Sequence, residues 1–290
     1  MEMNRDISVA VINQYRKEVD HDISICDAFG GTGIRGARYS KEIHGVEKVV
    51  VGDVNPLAVE ISKKNMQLNN ISNVEVQKND ANILLQSNKG LFDVVDIDPF
   101  GTPAMFTQST AANIRPGGLI CISATDTSAL CGTYHDPCLR KYGAKPLKTE
   151  YCHENGIRIL IAFISRNLAV NQKYLHVLFS HSTEHYMRVY AIVKRGGKKT
   201  NKALDNIGFI AHCPNCLHRE TTYGFAPKIP HTCPECGGEY DVAGPLWLGK
   251  IWDKEFIYNT MELVKNLNLN KKDDLMSLFE KCYMEADGPV

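Results

Sequence analysis

The segment Asp27-Ala-Phe-Gly-Gly-Thr-Gly-Ile-Arg-Gly36 places Gly31, Gly33 and Gly36 in G-x-G-x-x-G spacing ahead of a helical pattern. Glycines so arranged permit a tight turn and let a ligand approach backbone N–H groups at a helix N-terminus. Taken alone, the pattern also fits a turn that only permits close strand–helix packing. Two later carboxylates narrow the reading. Asp53 lies twenty residues after Gly33, at the end of the next apolar run, where it can accept both hydroxyls of a ribose. Asp80, in Asn79-Asp80-Ala81, closes a third run, where it can hold an adenine amino group. Dinucleotides and S-adenosylmethionine share this layout, and Asp27 separates them. A carboxylate just before the glycines suits the methionine ammonium group and repels a pyrophosphate. The expected cofactor is therefore S-adenosylmethionine, held by Asp27, Gly31, Gly33, Asp53, Asp80 and Ala81.

A fourth run ends in Asp96-Ile-Asp98-Pro99-Phe100-Gly101, opposite the position expected for the methyl group. An exocyclic base amine is a poor nucleophile because its lone pair is delocalised into the ring. Methylating it requires acceptors that hold the N–H groups, aim the lone pair and balance the charge developing on nitrogen. Asp98 can do this with help from the Pro99 carbonyl, and Phe100 offers a face on which a flipped base can stack. The expected catalytic set is Asp98, Pro99 and Phe100. A plain turn after a buried strand is the alternative.

Four of the ten cysteines are organised: Cys213-Pro-Asn-Cys216 and Cys233-Pro-Glu-Cys236, with sixteen residues between the pairs. Two such knuckles fit a tetrahedral four-thiolate Zn2+ site with a structural role. Cys131, His135, Cys138, Cys152 and His153 match no common ligand spacing and are expected to be buried thiols and satisfied histidines.

These groups need a scaffold. Short β-branched runs alternate with longer amphipathic segments from Asp22 to about Arg195, the pattern of a parallel α/β sheet. Strands are expected at 22–27, 48–53, 74–78, 93–98, 118–125, 174–181 and 186–194. Only four residues separate the last two, too few for a crossover, so they should form an antiparallel hairpin at one edge. The first four are apolar enough to be buried on both faces. Helices are expected at 4–17, 33–43, 56–69, 81–86 and 103–113, and again at 254–267 and 271–284. Arg195 to Lys202 reads as a basic, glycine-containing linker. Trp247 and Trp252 are expected in the core of the C-terminal part of the chain. The architecture is thus α/β: a Rossmann-like class I methyltransferase sheet over residues 1–196 with a smaller zinc-containing C-terminal domain over 203–290.

The chain has 290 residues and 33 charges of each sign, so composition alone argues for no anionic partner. The charges are uneven along the chain. Arg140, Lys141, Lys145, Lys148 and Arg158 crowd one stretch, and five cations with no anion occupy 194–202. Clusters of this kind displace counterions from nucleic-acid phosphates. The longest apolar runs fall far short of the roughly 20 residues that span a membrane, and no signal-like segment opens the sequence. A cytoplasmic protein that does not contact membranes is expected, with no obligate protein partner evident.

The sequence resembles the archaeal and eukaryotic tRNA guanine-N2 dimethyltransferases that modify guanine 26. The resemblance runs along nearly the whole chain, through Asn4-Arg5-Asp6, Asp27 to Gly36, Asp98 to Gly101, Thr125-Asp126, Cys138-Leu-Arg-Lys-Tyr142, Cys152-His-Glu154, His185-Tyr-Met-Arg188, the cysteine pairs and Gly244 to Gly249. It implies a Rossmann-like catalytic domain, S-adenosylmethionine as methyl donor, tRNA as substrate and a C-terminal domain that helps hold it. It also implies Arg5 and Asp53 as cofactor contacts, with Asp98 and Phe100 at the target guanine. Family members carry an aromatic-Asn-Pro segment upstream of Asn4 that this sequence lacks, and the C-terminal domain is short for the family, so it is expected to be incomplete. Other readings of the same residues are an exocyclic-amine methyltransferase acting on DNA or rRNA, and a zinc-containing tRNA-binding protein without turnover. An NAD-dependent oxidoreductase is disfavoured by Asp27 and by Asp98-Pro-Phe-Gly.

Overall fold

The computed structural model describes residues 2–288; Met1, Pro289 and Val290, at the outer ends of the two expected domains, lie outside the described residues. The chain opens with α1 (Glu2–Glu18) and then runs β1 (Ile23–Asp27), α2 (Ile34–Glu42), β2 (Val46–Asp53), α3 (Pro56–Leu68), β3 (Val74–Lys78), α4 (Ala81–Ser87), β4 (Val94–Ile97), α5 (Ala104–Asn113) and β5 (Leu119–Ala124). Three helices come next, α6 (Thr127–Leu130), α7 (His135–Tyr142) and α8 (Cys152–Ala169), then the hairpin β6 (Lys173–Thr183) and β7 (Tyr186–Arg195). The remainder is α9 (Gly197–Leu204), β8 (Ile207–His212), β9 (Arg219–Tyr223), β10 (Asp241–Trp247), α10 (Lys254–Val264) and α11 (Lys272–Glu285).

All seven expected strands form one sheet in the order β3-β2-β1-β4-β5-β7-β6. The first five are parallel, and the hairpin adds β7 antiparallel to β5 with β6 at the edge. Side chains alternate between the two faces. Cys26, Val50, Val95 and Ile120 face a core shared with α4, α5 and α8, whereas Ile25, Val49, Val51, Val94 and Leu119 face one shared with α1, α2, α10 and α11. β3 departs from the double-buried expectation: as the other edge strand it keeps Glu75 and Lys78 exposed. Asn55 caps α3 by accepting from Leu57 N–H, and Pro56 fills its first turn, where a missing N–H costs nothing.

Three departures come from packing. The stretch read as a linker, 195–202, is largely helix α9, seated on β6 and α8. Helix α8 was hidden in a run of aliphatic residues that suits a buried helix as well as a strand. A second sheet, β10-β8-β9, packs through β10 on α8. Trp247 is buried there, and the half-buried Trp252 donates to the Ser180 carbonyl at 2.7 Å. Helices α10 and α11 return to α1, where Lys271 N–H donates to Asp6 at 3.0 Å and Asn270 to Glu2 at 2.7 Å. The chain's last helices therefore fix the Asn4-Arg5-Asp6 turn over the sheet.

Candidate active site

The C-terminal ends of β1, β2 and β4 bring the expected residues to one edge of the sheet. After β1 the chain turns through Gly31 and Gly33, both left-handed at φ 54° and 75°. A side chain on Gly33 would sit 2.1 Å from Ser62 Oγ, whereas Gly31 looks into open space, as a ligand-facing position must. Asp53 ties the turn to β2: its Oδ2 accepts from Gly31 N–H at 2.9 Å and its Oδ1 from Asn55 N–H at 2.8 Å. Asp80 has a local duty that the sequence reading missed. Its Oδ1 caps α4, accepting from Asn82 N–H at 2.8 Å, and Ala81 beside it is buried.

Asp27 is fully buried, and neither carboxylate oxygen has a hydrogen-bond partner of ordinary geometry among the described residues. Burial pushes its pKa up to about 7; Arg35 pulls it down, and Asp96 and Asp98 push it further up. Arg5, half-buried on α1, makes no hydrogen bond or ion pair with another described residue. Burial and the nearby Arg35 and Arg38 charges lower its pKa. An unsatisfied carboxylate and an unpaired guanidinium, each acted on by the Arg35 charge, suit a zwitterionic ligand.

Asp98 lies at the centre of a buried charge network that the sequence did not disclose. Arg35 of α2 forms an ion pair with Asp98, and its Nη1 and Nη2 each donate to Asn4 Oδ1 at 3.1 Å. Arg188 of β7, fully buried, holds both Asp96 oxygens at 2.8 and 2.7 Å, donates to Ser123 at 2.5 Å and to Tyr190 at 2.8 Å, and lies 3.8 Å from Asp98 Oδ1. Tyr39 donates to Asp96 at 2.5 Å. Burial opposes charge on Asp98, but Arg35 and Arg188 outweigh it and hold the pKa below the ordinary carboxylate value. A guanidinium in the apolar strand Tyr186–Arg195 was the available signal, since arginine is almost never fully buried unless paired.

Pro99 is buried, while Phe100 is fully exposed. The loop that carries them is clamped to the end of β5, where Gly101 N–H donates to Thr125 Oγ1 at 2.6 Å and Thr125 N–H to the Gly101 carbonyl at 2.8 Å. Thr102 and Asp126 share Tyr142 OH, at 2.9 and 2.7 Å. Phe100 thus stands as a bare aromatic face beside a shielded carboxylate.

Cys213, Cys216, Cys233 and Cys236 bring their four sulfurs within 4.8 Å of one another. The closest pairs are Cys213–Cys236 at 3.4 Å and Cys216–Cys233 at 3.5 Å. Each knuckle closes the same way, Leu217 N–H on the Cys213 carbonyl and Gly237 N–H on that of Cys233, both at 2.9 Å. Sulfurs about 2.3 Å from a tetrahedral zinc lie some 3.8 Å apart, close to these separations. Of the cations expected on the surface, Arg140, Lys145, Lys148, Lys194, Arg195, Lys198, Lys199 and Lys202 are exposed. Lys141 pairs with Asp126 at 3.0 Å. Arg158 is buried, bonded to Glu154 and to the Trp247 and Gly249 carbonyls, so it is structural and unavailable to a phosphate.

The parallel sheet with its antiparallel edge hairpin and glycine turn is the α/β Rossmann-like methyltransferase fold. A solved structure titled as Trm1 from Pyrococcus horikoshii in complex with S-adenosyl-L-methionine superposes with a TM-score of 0.91 at 30% identity, covering 100% of this chain and 78% of that one. The family model described as N2,N2-dimethylguanosine tRNA methyltransferase matches residues 1–290, and the chain belongs to that family. The tRNA (guanine(26)-N(2))-dimethyltransferase of Methanobrevibacter smithii is 50% identical over 290 residues, which are all of this chain and 75% of the relative. The tRNA (guanine(26)-N(2)/guanine(27)-N(2))-dimethyltransferase of Aquifex aeolicus is 35% identical over 294 residues, 99% of this chain and 75% of the relative. No helix among the described residues is long and apolar enough to cross a membrane.

Proposed function

We propose that this chain transfers methyl groups from S-adenosylmethionine to the exocyclic N2 amine of guanine 26 in tRNA, first to the monomethyl and then to the dimethyl form. The observation that carries the chemistry is the Arg35–Asp98 ion pair, which fastens the amine acceptor to the helix that follows the glycine turn. Family membership supplies the substrate class. The residues fit the cofactor: Arg5 is free to take its carboxylate, the partnerless Asp27 to take its cation, Asp53 the ribose, and Asp80 with Ala81 the adenine, while Gly31 leaves room for close approach.

When bound, the cofactor supplies an electrophilic methyl group on a positively charged sulfur. Asp98, kept ionised, accepts an N–H of the guanine amine and aims the lone pair at that methyl group. Transfer would form the N–C bond as the C–S bond breaks, its electron pair returning to sulfur to leave a neutral thioether; Asp98 balances the positive charge the nitrogen gains, and the proton then passes to water. Its two arginine neighbours make Asp98 a weak base, so orientation and charge are its contribution. One acceptor also serves the second transfer, because the monomethylated amine retains one N–H. Phe100 stacks the extruded base.

We further propose that residues 1–196 form the catalytic domain, joined by α10 and α11, which share its core, and that the rest of 203–290 forms a smaller C-terminal part that binds structural zinc and contacts tRNA. The exposed cations at 140–148 and 194–202 supply phosphate contacts, and cysteines set in metal-ligand spacing suit a cytoplasmic chain. Methyl transfer from labelled cofactor to bulk tRNA, DNA and rRNA tests the reading, which requires label in tRNA alone.

Two outcomes are expected at these sites. If the cofactor's cation meets Asp27, binding lowers the carboxyl pKa from about 7 and should release about half a proton at pH 7. The neutral form prevails below that value, so affinity should rise with pH toward about 7 and level off above it. Calorimetry in buffers of different ionisation enthalpy measures the release, which Asp27→Asn should abolish; a heat independent of buffer rules the contact out. Cys213→Ser should lower metal content and loosen the segment 207–241 with cofactor affinity retained. Elemental analysis that finds no zinc in freshly purified protein overturns the metal assignment.

A further inference from the structure

Five residues that match no ligand template in sequence sort into two groups in space. Cys138 is buried by itself on α7, and His135 is exposed. Cys131, Cys152 and His153 instead converge, their ligand atoms all within 4.8 Å of one another. Cys131 caps the end of α6, while Cys152 and His153 are the first two residues of α8. His153 Nδ1 stands 3.7 Å from Cys131 Sγ and 3.0 Å from Ser182 Oγ at the end of β6.

We propose that Cys131, Cys152 and His153 hold one zinc ion at a site separate from the four-cysteine knuckles. Two thiolates and an imidazole are a soft to borderline donor set, which favours zinc over magnesium or calcium. Ligand atoms about 2.3 Å (sulfur) and 2.0 Å (nitrogen) from a tetrahedral zinc lie about 3.5 Å apart, close to the separation found here. Cys152 opens an 18-residue helix, so its sulfur is carried on a rigid element beside Cys131. The three side chains grade from buried Cys131 through half-buried Cys152 to exposed His153, which gives an ion a path inward. Isolated core thiols such as Cys26 and Cys121, fully buried in apolar surroundings, have neither feature. Binding displaces two thiol protons to solvent and leaves a fourth position for water.

The ion would join α6 to α8, and His153 Nδ1 would exchange its Ser182 partner for the ion. Helix α6 follows directly on Thr125-Asp126, which clamps the Asp98–Gly101 loop. Occupancy therefore stiffens the support of the target-base loop without touching the base.

The test is metal stoichiometry on the full chain under reducing conditions, loaded with zinc or cobalt, desalted and measured by elemental analysis and cobalt absorption. Wild type should retain about two ions per chain, and Cys152→Ser and His153→Ala about one, with the four-thiolate cobalt bands unchanged. Cys213→Ser should lose those bands and keep the others. Cys131→Ser belongs to the series, but the two less buried positions carry the test if it does not fold. A wild-type stoichiometry of one that Cys152→Ser leaves unchanged overturns the site. So does peptide mapping of metal-saturated protein that finds Cys131 and Cys152 joined as a disulfide.

Discussion

Asp98→Asn is expected to lower kcat for methyl transfer by about 10²–10³-fold, the range for loss of one preorganised electrostatic contact. The swap keeps size and shape but reverses function. Arg35 and Arg188 will draw the amide oxygen toward themselves, which turns the NH2 group toward the guanine amine and sets donor against donor. Binding of S-adenosylmethionine should change little, because Arg5, Asp53 and Asp80 do not depend on this carboxylate. Asp98→Ala removes the acceptor altogether and should transfer no better. Single-turnover transfer with saturating cofactor separates the two effects. A rate within about tenfold of wild type would move the catalytic role to another residue.

Arg188→Met should have the largest effect on folding. The substitution roughly conserves volume, so its cost is electrostatic: Asp96 loses the Nη2 donor shared by its two oxygens in a site without water access, with Arg35 left at 3.5 Å, and Asp98 loses one of its two nearby cations. Breaking a buried pair from one side costs about 3–5 kcal/mol, which for a chain of this size lowers the melting temperature by something of the order of 10 °C. The double variant Asp96→Asn/Arg188→Met should be less destabilised than the two single changes added together, because it removes both charges of the pair at once, leaving Arg35 to Asp98. Thermal melts of the three variants decide it. Simple additivity, or an unchanged Arg188→Met, would show that the network contributes nothing beyond its packing.

The parts of the site that lie at strand ends were legible because parallel strands announce themselves twice, by an apolar run and by the residue that stops it. Asp27, Asp53, Asp80 and Asp98 are such stops, and the sheet order makes them neighbours. The edge hairpin was legible from the short gap between its strands. Arg35 and Arg188 were not, since their partners lie 63 and 92 residues away and only the closed sheet brings them together. The same limit explains Arg158, which reads as surface charge until β10 supplies carbonyls for it. Helix α9 was masked by its charges: Lys198, Lys199 and Lys202 face solvent, and the helix is held by its seat on β6 and α8, with Thr200 buried. Asp80 shows a subtler gap, where one carboxylate caps a helix and still stands at the expected ligand edge.

The central claim is chemical transfer to one amine of one base, and two tRNA transcripts that differ only in carrying G or A at position 26 test it directly. Each is incubated with the chain and S-adenosylmethionine, digested to nucleosides and analysed by mass spectrometry over time. The account predicts N2-methylguanosine followed by N2,N2-dimethylguanosine from the G26 transcript and neither product from the A26 transcript. Equal methylation of both transcripts, or methyl groups on any other base, would contradict it.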